Sequence, residues 1–293
     1  MADRRLTIVY TVLALMAFAA NSILCRMALR EGVVDPATFS TLRFASGAMM
    51  LIAVAARTKR PFFPLSGSWV AAVALAIYAL PFAFAYTQLS AGTGALIMFG
   101  CVQVTMLLAA LSAGERPHVV QWVGLVLALT GLVNLVFPGL TAPSPFGASL
   151  MATAGVCWGV YSLLGRGAAN PLRQNTGNFV RAVPLIAAVS VFTMPRMHIE
   201  PRGAVLSIAS GALATGLGYV VWYAAVRGLT AVRASVVQLA VPLIAAGGGV
   251  LLLSETVTLR LVLSTVLVLG GITMATVGGA RSLRTTMTAE PTR

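Results

Sequence analysis

Ten apolar runs of about twenty residues follow one another with almost nothing between them. They cover 6–29, 36–57, 68–88, 92–113, 118–137, 146–166, 174–194, 203–226, 231–253 and 258–279. A helix needs about 20 apolar residues to cross a bilayer, and a backbone in lipid must satisfy its own hydrogen bonds, so each run is predicted to be a spanning helix. The runs are continuous and too long for the alternating strands of an outer-membrane barrel. Only 9% of the residues are charged and 58% are hydrophobic. A soluble domain carries roughly a quarter charged residues, so lipid is the expected outer solvent. The first run, 6–24 at its most apolar, is longer than a signal-peptide core of roughly 7–15 residues, so it is read as an uncleaved first span.

The breaks carry turn chemistry or charge: Glu31-Gly32 and Asp35-Pro36, Thr58-Lys59-Arg60-Pro61, Pro138-Gly139, Pro143-Ser144-Pro145, Asn170-Pro171 and the segment 195–201. The net charge of +13 invites a nucleic-acid reading, but the cations form no continuous basic stripe. They sit at the ends of the runs and read as topology signals. With both termini inside, the inner side holds Arg4, Arg5, Arg57, Lys59, Arg60, Arg116, Arg166, Arg173, Arg227, Arg233, Arg281, Arg284 and Arg293. The outer side holds Arg26, Arg30, Arg196, Arg202 and Arg260. That excess places both termini in the cytoplasm of a bacterial inner membrane.

The chain also repeats itself at an offset of 140. Ser22-Ile23-Leu24-Cys25-Arg26 answers Ser162-Leu163-Leu164-Gly165-Arg166, Leu89-Ser90-Ala91 answers Leu229-Thr230-Ala231, Glu115 falls on Glu255 and Gly131 on Gly271. Arg43 answers Arg181 with a two-residue shift. Each half holds five spans, an odd number, so the second half enters the membrane upside down. Inverted repeats are an architecture of secondary transporters, which bind substrate near the midplane where the halves meet. The expected organisation is a first repeat over 1–137, a second, inverted one over 146–279 and a cytoplasmic tail over 280–293.

On these residues, and on the glycine-bearing helix that follows each of Glu115 and Glu255, the chain resembles the drug/metabolite transporter superfamily in its ten-helix form with two EamA-type repeats. Within it, the chain is most similar to exporters of aromatic and other neutral amino acids. The resemblance implies an all-α membrane protein that exports amino acids or related small metabolites by alternating access. The alternatives are an exporter of drugs or toxic cations, an intramembrane enzyme, or a component of a lipid flippase. The expected partners are a small-molecule substrate and membrane lipid, without nucleic acid, and the pattern is compatible with a monomer.

Lys59, the only lysine, has no glycine loop before it, so ATP-driven transport by this chain is excluded. His118 and His198 form no catalytic motif, and Cys25, Cys101 and Cys157 lie in apolar runs at spacings that match no metal site. No enzyme activity, metal or cofactor is expected. None of the seven acids lies at the centre of a span, where proton-coupled carriers commonly place one. Glu115 and Glu255 are read as complements to the positive ends of the helices that follow them.

The candidate substrate-binding residues are aromatics and amides inside the spans: Phe18 and Asn21 on the first, their repeat mates Trp158 and Tyr161 on the sixth, Tyr78 and Phe82 on the third, Tyr219 and Trp222 on the eighth, and Gln238 with its mate Met98. Aromatic walls with a few amides suit neutral or zwitterionic ligands. Each of these aromatics has a competing role in interfacial anchoring or packing, and each amide in a helix–helix hydrogen bond. Arg43 and Arg181 lie within spans, where a charge needs a partner or water. They are read as pathway or gating residues that line a wet mouth or meet a substrate carboxylate, or else as side chains that snorkel to helix carbonyls.

Overall fold

The computed structural model describes residues 4–58, 66–112, 114, 119–137, 139, 142–165, 168–229, 234 and 237–288, the side chains of 196 and 276–288 excepted. Lys59, Arg60, Glu115, Arg116, His118, Arg166, Arg233 and Glu290 lie outside the described residues, as do parts of the ninth expected span. Among the described residues the chain folds into ten helices: α1 (Arg4–Arg30), α2 (Pro36–Ala56), α3 (Trp69–Tyr86), α4 (Ala91–Ser112), α5 (Val119–Val136), α6 (Pro145–Leu164), α7 (Pro171–Phe192), α8 (Pro201–Val226), α9 (Ala240–Leu253) and α10 (Leu259–Thr288). No β-strand occurs among them; one isolated antiparallel bridge, Val34 to Ile199, ties the α1–α2 and α7–α8 connections together.

The helix starts follow from the breaks. Asp35 accepts from the backbone N–H groups of Ala37 (3.1 Å) and Thr38 (3.0 Å), with Pro36 opening the helix. Ser144 and Pro145 repeat the device for α6, as do Asn170 and Pro171 for α7. A small polar cap satisfies an orphan N–H, and proline at the first position has no N–H to lose. Ser254, at φ 51°, ends α9 in the left-handed conformation.

Helices α1–α6 and α8 are long and apolar enough to cross a membrane; α9 and the described apolar part of α10, Leu259–Ala275, are shorter. The seventh run folds as a 22-residue helix but is less apolar, because Arg173, Gln174, Asn175, Asn178 and Arg181 interrupt it. Much of α7's polarity is turned inward: Asn175 and Asn178 are buried. Outward faces are apolar, as Val119, Val126 and Val133 on α5 illustrate. The last helix runs to Thr288, past the expected end of the tenth span at 279.

The principal helix contacts are unchanged when each helix of one half is exchanged for its counterpart five places along. The α3–α6 contact maps onto α8–α1, α4–α6 onto α9–α1, and α3–α7 onto α8–α2, while α2–α7, α4–α9 and α5–α10 map onto themselves. The α5–α10 pair packs through glycine. A Cβ on Gly124 would collide with the Gly271 carbonyl, and one on Gly271 with the Gly124 carbonyl. Small residues of this kind let helices in lipid approach to backbone contact.

The middle of α8, Ser210–Leu217, winds as a π-helix. Such segments often occur at functional sites, and this one lies against α1 and α2. Its Gly211 abuts the Arg43 carbonyl and Ser46 so closely that a Cβ there would clash.

Candidate substrate cavity

A cavity of about 740 Å³ lies between the halves. Its described walls come from α1–α4, α6–α8 and the connections beside them, Gln238 in the α8–α9 connection included, and none of its described lining comes from α5, α9 or α10. The structure brings together all ten residues expected to bind substrate: Phe18, Asn21, Tyr78, Phe82, Met98, Trp158, Tyr161, Tyr219, Trp222 and Gln238 all line it. Arg43 does too. Arg181 is not part of the lining: its guanidinium donates to the carbonyls of Ser66 (3.2 Å) and Gly177 (2.9 Å) and lies over the Trp69 ring, pinning α7 to the approach of α3.

The aromatic wall is a continuous chain of ring contacts. Trp158 stacks on Tyr219, with centroids 5.4 Å apart and planes at 22°, and meets Tyr78 at 5.0 Å and Tyr161 at 5.6 Å. Phe18 packs edge-on to Trp222 at 5.7 Å, and Tyr78 leads on to Phe82 at 5.4 Å. Offset and edge-to-face rings at these separations attract each other beyond their buried area, so the wall is set before any ligand arrives.

The polar groups fall into three sets. Asn21 Oδ1 accepts from Ser210 Oγ (2.8 Å) and Thr215 Oγ1 (3.4 Å), which ties α1 to the π-helical part of α8. The Tyr161 hydroxyl donates to Asn175 Oδ1, Asn175 Nδ2 donates to the Tyr223 hydroxyl, and Asn178 Nδ2 donates to Tyr161 (3.4 Å). Tyr223 stands on the eighth span beside the expected Tyr219 and Trp222; Asn175, Asn178 and Thr215 were not expected, although two asparagines three apart in an apolar run were a signal for the first two. The third set is Arg43. Gln238 stands apart, since among the described residues no group bonds its amide, and the competing helix–helix bond is not formed.

One end of the cavity reaches the α6–α7 and α8–α9 connections, at Gly165, Ala168, Pro171, Leu229 and Ala234. The opposite face of the protein is tied shut. Arg26 pairs with Glu255 (Nε to Oε1, 3.2 Å), and its Nη1 donates to the Tyr86 (2.8 Å) and Thr87 (3.2 Å) carbonyls. Glu255 Oε2 accepts from the backbone N–H of Ala91 (2.8 Å), and Arg30 donates to the Leu253 carbonyl. Glu255 therefore does not serve the helix that follows it, as the sequence reading had it. It caps the start of α4 and holds α1. The repeat mates Glu115 and Arg166 lie outside the described residues.

The description "EamA-like transporter family" matches the chain twice, over residues 5–137 and 145–277. The chain belongs to the EamA-like transporter family. It holds two EamA repeats, and the cavity lies between them. An uncharacterized protein of Pseudomonas aeruginosa is 48% identical over 274 residues, 94% of this chain and 95% of its own length. An uncharacterized transporter of Clostridium kluyveri is 22% identical over 90% of each chain, and the uncharacterized transporter YoaV of Bacillus subtilis is 27% identical over 56% of this chain and 59% of its own. A crystal structure 18% identical in sequence superposes with a TM-score of 0.66, covering 94% of this chain and 98% of its own, and shows the same fold. The EamA-like chain is thus a multi-pass membrane transporter of small molecules.

Proposed function

We propose that this transporter exports neutral amino acids, aromatic ones among them, or closely related metabolites by alternating access. In this reading ten spans form two inverted five-helix repeats, 1–137 and 146–279, in a bacterial inner membrane with both termini cytoplasmic. The exchange symmetry of the helix contacts and the odd number of helices per half support the inversion. The cation bias of the loops supports the orientation.

One observation carries the substrate reading: the cavity of about 740 Å³ is walled by stacked aromatic rings and dotted with amides. That volume lies in the usual range for small-molecule sites. Trp158 offers a flat apolar face to a large side chain. The unbonded Gln238 amide and Asn21 offer donors and acceptors to the part common to all amino acids. In the proposed orientation the α6–α7 and α8–α9 connections face the cytoplasm. The cavity is then in contact with the side on which an exporter loads, while Arg26 and Glu255 close the periplasmic side.

Counterflow in liposomes, measured for one large and one small amino acid, tests the assignment. Trp158→Ala should weaken the large substrate more than the small one, by on the order of 1–3 kcal/mol per lost pocket contact. Gln238→Ala should lower both together. Wild-type rates for both substrates in both folded variants would show that these residues only pack helices.

A further inference from the structure

Arg43 is the single charged residue in the described cavity lining, and it is 1% exposed. Its partners among the described residues are all neutral. Nη2 donates to the Tyr78 hydroxyl (2.7 Å), Nε reaches Thr215 Oγ1 at 3.4 Å, and the guanidinium carbon lies 4.7 Å from the Phe82 ring centre and 5.4 Å from those of Phe44 and Tyr78. Nη1 is buried with no hydrogen-bond partner among the described residues. The acids of the described residues, Glu31, Asp35, Glu200 and Glu255, all belong to the closed face, and none lines the cavity. A cation within a membrane-spanning helix is costly and is normally paired. Truncating or displacing a buried charge's partner is likewise expensive. A guanidinium held by one tyrosine, one distant threonine and three ring faces is therefore short of one anion.

We propose that Arg43 is the carboxylate subsite of the cavity, and that the transported substrates are recognised by a carboxylate and not by an ammonium group. This rests on the reading of the cavity as a substrate site. The chemistry fits a two-point exchange. The Nη1 and Nη2 edge of arginine matches the two oxygens of a carboxylate in parallel. Nη2 already points to the hydroxyl of Tyr78, which itself lines the cavity. A carboxylate that displaces this neutral oxygen takes both nitrogens, satisfies Nη1 and neutralises the buried charge. The aromatic wall then receives the rest of the molecule: Trp158 stands 5.0 Å from Tyr78. A cationic ligand meets the opposite situation, a positive charge and no carboxylate in the described lining. The class is thus small aromatic or apolar carboxylates, zwitterionic amino acids included, and it excludes amines and organic cations.

The test compares four ligands that share one side chain in competition for binding to the purified full-length protein: phenylalanine, 3-phenylpropionate, phenylalaninamide and phenethylamine. The two carboxylates should compete comparably, and the two compounds without a carboxylate should be weaker by on the order of 10–100-fold, the weight of a charged hydrogen-bonded contact. Arg43→Gln should erase that difference and Arg43→Lys should restore part of it. The wild-type comparison stands even where a variant fails to fold. Equal competition by phenethylamine or the amide would overturn the carboxylate subsite and leave the aromatic substrate cavity in place. Binding of none of the four would overturn both.

Discussion

Replacing Glu255 by glutamine should loosen the closed face and let the protein open on that side. The carboxylate has two jobs there: Oε1 meets Arg26 Nε at 3.2 Å and Oε2 caps Ala91 at 2.8 Å. Glutamine keeps a carbonyl oxygen for the cap and loses the charge. The pair is largely shielded, with side-chain exposures of 14% and 9%. At an effective dielectric constant of about 20, its Coulomb attraction is about 5 kcal/mol before desolvation. Desolvation and the surviving bonds of Arg26 to the Tyr86 and Thr87 carbonyls reduce the net loss to that of a charged hydrogen bond, about 1.5–3 kcal/mol. If that contact exists only while this face is shut, the balance between the two states moves by roughly 10–150-fold. The assay is thiol labelling of Ser22→Cys, which lines the cavity and is buried, in a background without Cys25, Cys101 and Cys157. An impermeant reagent added on the face that carries Glu31, Asp35 and Glu255 should react at least tenfold faster in Glu255→Gln. Arg26→Gln should act in the same direction, and the double variant should fall well short of the sum of the two effects. Unchanged labelling in both single variants would refute the reasoning and leave the pair as a local cap of α4.

Gly271→Leu should lower thermal stability in detergent, since a side chain there strikes the Gly124 carbonyl and overpacking costs about 1–3 kcal/mol. Its substrate preference should stay unchanged, because α5 and α10 supply none of the described cavity lining; a changed preference would show that this pair shapes the site. Arg181→Gln should likewise leave the order of substrates unaltered in counterflow, since Arg181 holds the Ser66 and Gly177 carbonyls outside the cavity. Cysteines at Gly139 and Ser144 should label from the periplasm and cysteines at Thr58 and Ala168 from the cytoplasm, and the reverse pattern would invert the proposed orientation.

The helix boundaries were legible because the chain writes them in local chemistry. Asp35-Pro36, Ser144-Pro145 and Asn170-Pro171 each cap and open a helix within four residues, which needs no knowledge of the rest of the fold. The cavity residues were legible because a tyrosine or an amide inside an apolar run is conspicuous, and the repeat points to the same helices twice. What sequence could not show depends on distance along the chain. Arg26 and Glu255 are 229 residues apart, so the pairing that moves Glu255 from α10 to α1 and α4 leaves no local trace. Arg43 and Arg181 look equivalent as in-span cations. They part only because Tyr78 and the π-helical Thr215 stand beside one and the Ser66 carbonyl beside the other. The π segment itself is written in Ser, Gly, Ala, Leu and Thr, a composition that serves an ordinary helix equally well.

The proposed export of amino acids through the aromatic cavity is tested most directly by counterflow in liposomes containing only the purified protein. Vesicles loaded with unlabelled amino acid should take up the labelled one saturably, return it chemically unchanged, and do so at the same rate with and without a pH gradient, because no carboxylate lies among the described lining residues. Absence of counterflow for every amino acid would contradict the substrate assignment, and accumulation driven by a pH gradient alone would contradict the mechanism.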